Sequence, residues 1–263
     1  MVDRNTMRLM LLILGVVFAF LYLPISVLVA LSFNESGLPT AWTGFSTKWY
    51  AALLANDDIL QAAGNTLIVA LFSTLLATVL GTLLAVGVEI RRRTGKWLET
   101  MIFAPMIIPD IVLAIALLSF FSLLGARMGL HTIIASHVVF NLAFVCAVVR
   151  ARLKSFDWSI VEASTDLGAS TWTTLRRVIL PVLMPAIMAG ALLAFTLSVD
   201  EFIIAFFTAG PGRSSITLPM QIFAMIRFGV TPEINALATV VIAVSVIALA
   251  LSQRLNREGL PGQ

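Results

Sequence analysis

Three carboxylic acids within apolar stretches are the residues of this sequence best placed to do chemistry: Asp110, Asp200 and Glu201. An ionised carboxylate at the centre of a membrane-spanning helix costs about 2.5–3.5 kcal/mol on insertion scales, so each one needs a compensating partner. If the three face a shared cavity, their negative potential suits the desolvated ammonium groups of a flexible molecule with several amines. The alternative is that they pair with Arg, His or backbone groups of a neighbouring helix, or cap a helix break, and touch no ligand.

The residues around these acids predict how they are held. Asp110 follows Pro109, whose missing N–H interrupts a helix and can open a cavity lined by backbone carbonyls. Asp200 and Glu201 are neighbours, and neighbouring residues on a helix point about 100° apart. On one continuous helix these two carboxylates could not both face a pathway squarely, so we expect one of them to serve structure.

Residues typical of catalytic or metal sites are sparse. The sequence contains no His-Glu-x-x-His motif, no Gly-x-Ser-x-Gly elbow and no Walker-type phosphate loop. His131 and His137 are too few to build a metal site alone, and Cys146, the single cysteine, excludes an internal disulfide and a cysteine cluster. We therefore expect no catalytic residue, no metal and no cofactor on this chain, which disfavours an intramembrane enzyme and leaves any ATP hydrolysis to a partner.

The composition assigns the chain to the membrane. Hydrophobic residues make up 59% and charged residues 12% of the 263 residues, and the mean hydropathy is +1.00. Soluble domains contain roughly 45–50% apolar and about 25% charged residues, so lipid is the expected solvent. The net charge of +3 is too small to indicate a nucleic-acid partner. We expect a single transmembrane domain over residues 1–263.

Apolar runs of about 20 residues predict an all-α membrane protein with six transmembrane helices, because a helix satisfies its own backbone polar groups in lipid. The N-terminal run is longer than the core of a signal peptide and is expected to be a retained span. The fourth run is the shortest and contains His137 and Asn141, which we expect on a face turned toward neighbouring helices. The predicted spans are residues 9–33, 62–88, 101–124, 133–149, 182–207 and 236–255.

The basic residues predict the direction of these spans. Loops rich in Lys and Arg stay in the cytoplasm, and the termini together with the second and fourth loops hold thirteen of the 17 basic residues. Both termini are therefore expected in the cytoplasm, and the arginine run at residues 91–93 is interpreted as a topology anchor. The thirteen residues are Arg4, Arg8, Arg91, Arg92, Arg93, Lys96, Arg150, Arg152, Lys154, Arg176, Arg177, Arg254 and Arg257.

The loop over residues 154–181 predicts two short helices joined by a sharp turn on the cytoplasmic side. Asp157 can cap a first helix over residues 158–167. Gly168 then supplies the left-handed residue that ends this helix, because glycine has no Cβ to disfavour positive φ. A rigid projection of this kind is suited to transmitting force from another protein.

The second helix of this loop is predicted to start at Ser170 or Thr171 and to stop at Pro181, before the next span. Its apolar residues recur at helical spacing on one face, which suits contact with a groove in a partner. These apolar residues are Trp172, Leu175 and Val178.

The residues of this loop match a known motif. Glu-Ala-Ser at residues 162–164 is followed by Gly168 and, after nine further residues, by Val-Ile-Leu-Pro at residues 178–181. The pattern resembles the EAA loop of ABC importer permeases, E-A-A-x3-G-x9-I-x-L-P, with mild departures at Ser164 and Val178. The resemblance implies that the loop forms helices that couple to a cytoplasmic ATPase. The coupling positions it implies are Glu162, Ala163, Gly168, Val178, Leu180 and Pro181.

More of the chain resembles one branch of this family, the polyamine permeases of the PotC and PotI type. The segments that carry this resemblance are residues 45–50, 109–112, 195–201 and 229–239. Asp200-Glu201 stands where this branch usually has two aspartates. The resemblance implies the type I ABC importer (MetI-like) permease fold in a bacterial inner membrane, with a substrate pathway that includes Asp110, Asp200 and Glu201.

The same resemblance implies the partners of the chain. They are a cytoplasmic ATPase dimer that holds ATP and magnesium, a sister permease in a heterodimer, an extracytoplasmic substrate-binding protein, the surrounding lipid, and spermidine or putrescine as the substrate. Two alternatives stay open. The same machinery could import another small cationic or amino-acid-like substrate of the opine type, or the chain could be a stand-alone channel or secondary transporter, which the EAA-like loop disfavours.

Overall fold

The computed structural model describes residues 3–37, 41–90, 96–227 and 229–258, and most of these residues are helical. The arginine run at residues 91–93 lies outside the described residues. The helices are α1 (Arg4–Leu31), α2 (Lys48–Leu54), α3 (Asp57–Ile90), α4 (Lys96–Ile107), α5 (Asp110–Leu123), α6 (Leu130–Leu153), α7 (Ser159–Asp166), α8 (Thr171–Thr174) with a π-helical segment (Leu175–Ile179), α9 (Leu180–Asp200), α10 (Ile203–Thr208), α11 (Leu218–Arg227) and α12 (Pro232–Glu258).

Four of the described helices are long and apolar enough to cross a membrane: α1, α3, α6 and the helix that continues from Thr171 through α9 to Asp200. The bent pair α4 and α5 would together make a fifth. The apolar part of α12 is described from Pro232 to Ile247. The all-α membrane fold class is therefore confirmed, while the number of six crossings stays a prediction.

Two predicted spans are broken rather than straight. The predicted third span, residues 101–124, is bent by 112° between α4 and α5. The bend lies at Pro109, which has no N–H to continue the first helix. The predicted fifth span, residues 182–207, was expected to be continuous, and this is wrong because α9 ends at Asp200 and α10 begins only at Ile203.

The predicted fourth span, residues 133–149, was too short, because α6 has 24 residues. At its start the backbone N–H of Gly129 donates to the hydroxyl of Thr132 at 2.9 Å, which adds a turn before the apolar run. At its end Arg150 and Arg152 lie in the last helical turn, where the helix dipole favours cations. Charged residues that looked like loop in the sequence therefore continue the helix.

Residues 61–221 form one compact unit, built on the packing of α6 along α9 and of α4 against α6. Val145, Val149 and Leu183 are fully buried in its core. Gly81 brings α3 close to α6, since a Cβ at this glycine would lie 2.9 Å from the Cβ of Val145. Small residues at helix contacts are the usual means of close packing in membranes, where the hydrophobic effect does not draw helices together.

The second unit consists of residues 1–60 and 222–263, and within it α1 and α2 both pack against α12. The side-chain amide of Asn56 donates to Glu233 Oε1 at 3.2 Å, which links the start of α3 to the first turn of α12. No residue of α1 is buried, although its best window has a mean hydropathy of 2.7. An apolar helix exposed all round is suited to contact with lipid or another membrane chain.

Candidate functional site

A cavity of about 480 Å³ in the unit over residues 61–221 brings all three predicted carboxylates together. We call it the acidic cavity. Asp110 is the first residue of α5, Asp200 is the last residue of α9, and Glu201 lies in the break that follows. The cavity is lined by Asp110, Phe140, Thr196, Leu197, Asp200, Glu201, Phe202 and Ile203.

The helix break at Glu201 explains how two neighbouring acids reach one cavity. Glu201 has φ −70° and ψ 121°, an extended conformation that turns the chain out of α9. Its carboxylate accepts the backbone N–H of Ile204 at 2.7 Å and that of Ala205 at 2.8 Å. At the start of a helix such N–H groups have no acceptor within the helix, and lipid offers none. The Glu201 side chain supplies the acceptors. The expectation that the two acids could not both face a pathway squarely assumed a continuous helix, whereas the chain breaks between them and both residues line the cavity.

The three carboxylates differ in their exposure and in their contacts with the rest of the protein. Asp110 and Asp200 are exposed, whereas the side chain of Glu201 is only 7% exposed. The prediction that one of the two adjacent acids serves structure is supported by Glu201, which caps α10. Asp110 and Asp200 are thus the two acids with carboxylates open to the cavity.

A chain of buried polar side chains runs from the acidic cavity into the helix packing. His137 is 1% exposed, and its Nε2 lies 3.3 Å from Glu201 Oε2 while its Nδ1 lies 2.7 Å from Ser198 Oγ. Ser198 Oγ in turn lies 3.0 Å from Ser73 Oγ. His137 thus faces neighbouring helices, as expected. The contact between His137 and Glu201 was not predicted. The only sequence signal for it was Ser198, a polar residue of α9 three positions before Glu201.

The two short helices predicted over residues 154–181 are present, and the segment from Asp157 to Thr174 is called the exposed hairpin. Asp157 accepts the backbone N–H of Ser159 at 3.0 Å. Hydrogen bonds from the hydroxyl and the backbone of Ser159 hold the pKa of Asp157 below its usual value. Gly168 has φ +80°, the left-handed conformation that the turn requires.

The second helix of the hairpin begins as predicted but does not end at Pro181. The hydroxyl oxygen of Ser170 accepts the backbone N–H of Thr173 at 3.3 Å, which identifies Ser170 as the cap. The helix then passes through a π-helical turn, in which Leu180 N–H bonds to Leu175 O, and continues into α9. Pro181 lies where the hydrogen-bond register changes, so its missing N–H does not stop the helix.

Large apolar side chains project from the exposed hairpin. Leu167, beside the glycine turn, is 89% exposed, and Trp172 is 66% exposed. A groove of about 460 Å³ between the hairpin and the end of α3 is lined by Glu162 and Glu89 among threonines and apolar residues. Of the six predicted coupling residues, four are exposed and two are partly buried. The exposed residues are Glu162, Ala163, Gly168 and Pro181, and the partly buried ones are Val178 and Leu180.

An ion-pair network that the sequence did not reveal lies close to the exposed hairpin. Arg150 in α6 pairs with Glu99 in α4, and its Nε lies 3.6 Å from Glu89 Oε2 in α3. The guanidinium also lies 5.9 Å from the ring centre of Phe103. From the sequence, Arg150 was counted only as a topology charge. In the structure it joins three helices that meet beside the hairpin.

Together, the bundle of long apolar helices, the acidic cavity and the exposed hairpin define a polytopic membrane transport protein of the permease class. The family model for "Binding-protein-dependent transport system inner membrane component" matches residues 77–257, which is most of the chain and includes the whole hairpin. The chain belongs to this family. Membership confirms the family resemblance drawn from residues 162–181.

Relatives narrow the position of the chain within the family. It is 45% identical over 247 residues to the spermidine/putrescine permease protein PotC of Escherichia coli K12, covering 94% of this chain and 93% of that protein. It is 43% identical over 269 residues to the putrescine permease protein PotI of the same strain, covering 98% and 94%. A bacterial ABC transporter that imports alginate has the same fold, with a TM-score of 0.75 at 16% identity, covering 97% of this chain and 98% of that one.

Proposed function

We propose that this chain is a permease subunit of an ATP-driven importer that moves polyamines, with spermidine and putrescine as the substrate class. The observation that carries the proposal is the acidic cavity, in which two exposed carboxylates stand beside a helix break inside an apolar bundle. The identity of 45% to a spermidine/putrescine permease over 94% of the chain supports the same substrate class. A polyamine carries several ammonium groups, and each needs a negative partner when it leaves water.

Asp110 and Asp200 are proposed as the groups that bind passing ammonium ions. They belong to different helices and line the same cavity, so a flexible cation can bridge them. An ammonium group bonded to a carboxylate in such surroundings makes a strong charge-assisted hydrogen bond. Half of a pathway is supplied by this chain, and we propose that a sister permease supplies the other half in a heterodimer.

The exposed hairpin is proposed as the site where ATP hydrolysis enters the chain. Its two helices are short and capped, and Leu167 and Trp172 present apolar surface that suits a groove in a soluble partner. Glu162, Ala163, Gly168, Val178, Leu180 and Pro181 are the proposed coupling residues. The partner is an ATPase dimer that holds ATP and magnesium on the cytoplasmic side, because this chain has no phosphate-binding loop of its own.

The remaining assignments follow from this arrangement. Both termini and the exposed hairpin are proposed to lie in the cytoplasm, as the excess of basic residues on that side predicts. An extracytoplasmic binding protein is proposed to deliver the substrate, in keeping with the family of binding-protein-dependent transporters. The membrane is proposed to be a bacterial inner membrane.

Uptake by the reconstituted transporter, with the chain carrying Asp110→Asn or Asp200→Asn, tests the substrate role. Each change keeps the size of the side chain and removes the negative charge. Loss of a hydrogen bond to a charged group weakens binding by about 1.5 kcal/mol or more, so the apparent KM for spermidine should rise about tenfold or more. Full transport with an unchanged apparent affinity for both variants would refute the substrate role of these acids.

The matched control is Asp57→Asn, which removes the same charge from an exposed residue in the first turn of α3. It should leave the apparent KM unchanged. A channel or secondary transporter is tested in the same vesicles by omitting ATP. Uptake that persists without ATP would overturn the assignment to an ATP-driven importer.

A further inference from the structure

His137 is a buried group beside the acidic cavity that the proposed pathway does not use. It lies on α6 and is 1% exposed, and its two ring nitrogens face two different segments of the chain. Nδ1 lies 2.7 Å from Ser198 Oγ, a normal hydrogen-bond distance. Nε2 lies 3.3 Å from Glu201 Oε2 without hydrogen-bond geometry, and it has no hydrogen-bond partner within the described residues.

The chemistry of these partners determines how the protons are arranged. Both oxygens of the Glu201 carboxylate accept backbone N–H groups of α10, so this carboxylate faces Nε2 as an acceptor. The nitrogen that faces it, Nε2, must therefore carry a proton. Nδ1 bonds to the Ser198 hydroxyl, which can donate or accept, and Ser198 bonds in turn to the Ser73 hydroxyl.

Three elements meet in this chain of contacts. Ser73 comes from α3, His137 from α6, and Ser198 from the last turn of α9, three residues before Glu201. The imidazole thus bonds to the end of α9 and faces the cap of α10. It holds the two sides of the helix break in one relative position. Its neighbour one turn along α6, Asn141, is fully buried and uncharged, so it adds no competing charge.

We propose that His137 is a positioning residue for the acidic cavity: with Nδ1 bonded to Ser198 and an Nε2–H facing the Glu201 carboxylate, it holds Glu201 as the cap of α10, which leaves Asp110 and Asp200 to face the cation. The assignment of Asp110 and Asp200 rests on the proposed function. The proton on Nε2 and the cap do not depend on any substrate. Glu201 is accordingly a structural acid in the same cavity and not a ligand.

Nitrogen NMR on the full chain, labelled with 15N-histidine in lipid nanodiscs at neutral pH, tests the protonation of Nε2 directly. The sequence has two histidines, and His131 is exposed, so His131→Gln assigns the spectrum. We expect His137 to show a protonated Nε2. The change Ser198→Ala should shift the Nδ1 resonance, because it removes the hydrogen-bond partner of Nδ1, and leave Nε2 protonated. An unprotonated Nε2, or no response to Ser198→Ala, would overturn the proposal.

Transport measurements test the separation of roles. Spermidine carries three positive charges at neutral pH and putrescine two, so loss of a carboxylate that binds cations should change the ratio of their apparent KM values. We expect Asp200→Asn to change this ratio. Glu201→Gln keeps a group that can accept one capping N–H and should lower the maximal rate while leaving the ratio unchanged. A ratio that changes as much for Glu201→Gln as for Asp200→Asn would refute the structural role of Glu201.

Two further variants separate positioning from folding. His137→Leu removes the hydrogen bond to Ser198 and the contact with Glu201, and we expect about a tenfold fall in the maximal rate. His137→Gln has an amide that can donate toward Glu201, so it should restore part of the rate. Equal rates for the Leu and Gln variants would contradict positioning through a hydrogen bond. Failure of the substrate assignment would leave the NMR result unchanged, so the two failures are distinguishable.

Discussion

Replacement of Gly168 tests whether the turn of the exposed hairpin transmits force. This residue has φ +80°, and a Cβ built on it meets no atom within 4 Å. The cost of a side chain is therefore conformational and not steric. A left-handed conformation costs a non-glycine residue about 1–2 kcal/mol, which lowers the population of the correct turn about 5–30-fold. Asn tolerates this conformation better than Ala, and a β-branched residue tolerates it least.

We expect the apparent affinity of the permease for its ATPase, and ATP-dependent uptake with it, to fall in the order Gly168→Asn, Gly168→Ala, Gly168→Val. The measurement is a titration of reconstituted permease with the ATPase, followed by uptake at saturation. The control is Gly87→Ala on an exposed face of α3, where a Cβ also meets nothing within 4 Å. In a helix this change should be neutral or stabilise by up to about 1 kcal/mol. Wild-type affinity for Gly168→Val would refute the reasoning.

Three further changes have defined outcomes. Arg150→Met leaves two carboxylates close together without their cation and should lower the melting temperature in detergent; an unchanged melting temperature would contradict it. Gly81→Val forces a side chain against Val145 and should cost about 1–3 kcal/mol in the same assay, whereas a wild-type value would mean that α3 can move away. Leu167→Ser should leave the melting temperature unchanged and weaken ATPase binding about fivefold or more. The control Leu54→Ser, at a similarly exposed leucine of α2, should change neither the melting temperature nor the binding. Equal ATPase binding by both variants would refute the docking role.

The features that could be predicted from the sequence depend on local chemistry. Composition alone identified lipid as the solvent, since water cannot accommodate a chain that is 59% hydrophobic. The hairpin was predicted from Asp157, Gly168 and Ser170, because caps and a left-handed glycine act within a few residues of themselves. The bend at Pro109 followed from one missing N–H. Each of these signals acts within about one helical turn.

The errors arose where hydrogen bonding beyond the local pattern overrides a helix rule. Pro181 was expected to stop a helix, but a π-helical turn shifts the register so that its missing donor leaves the helix continuous. The fifth span was expected to be continuous because its residues are apolar throughout. It breaks at Glu201, where the carboxylate takes over the N–H groups that the break exposes.

By itself the sequence determined an all-α membrane protein with a stiff exposed hairpin and three acids that needed partners. Only the tertiary structure decided which acid is paired and which are open. Glu201 is capped by its own chain and faces His137, 64 positions earlier, while Asp110 and Asp200 stay exposed to the cavity. The physical reason is that a carboxylate in an apolar bundle is satisfied by donors from any helix that packs beside it, and neighbours in space leave no periodic pattern in the sequence.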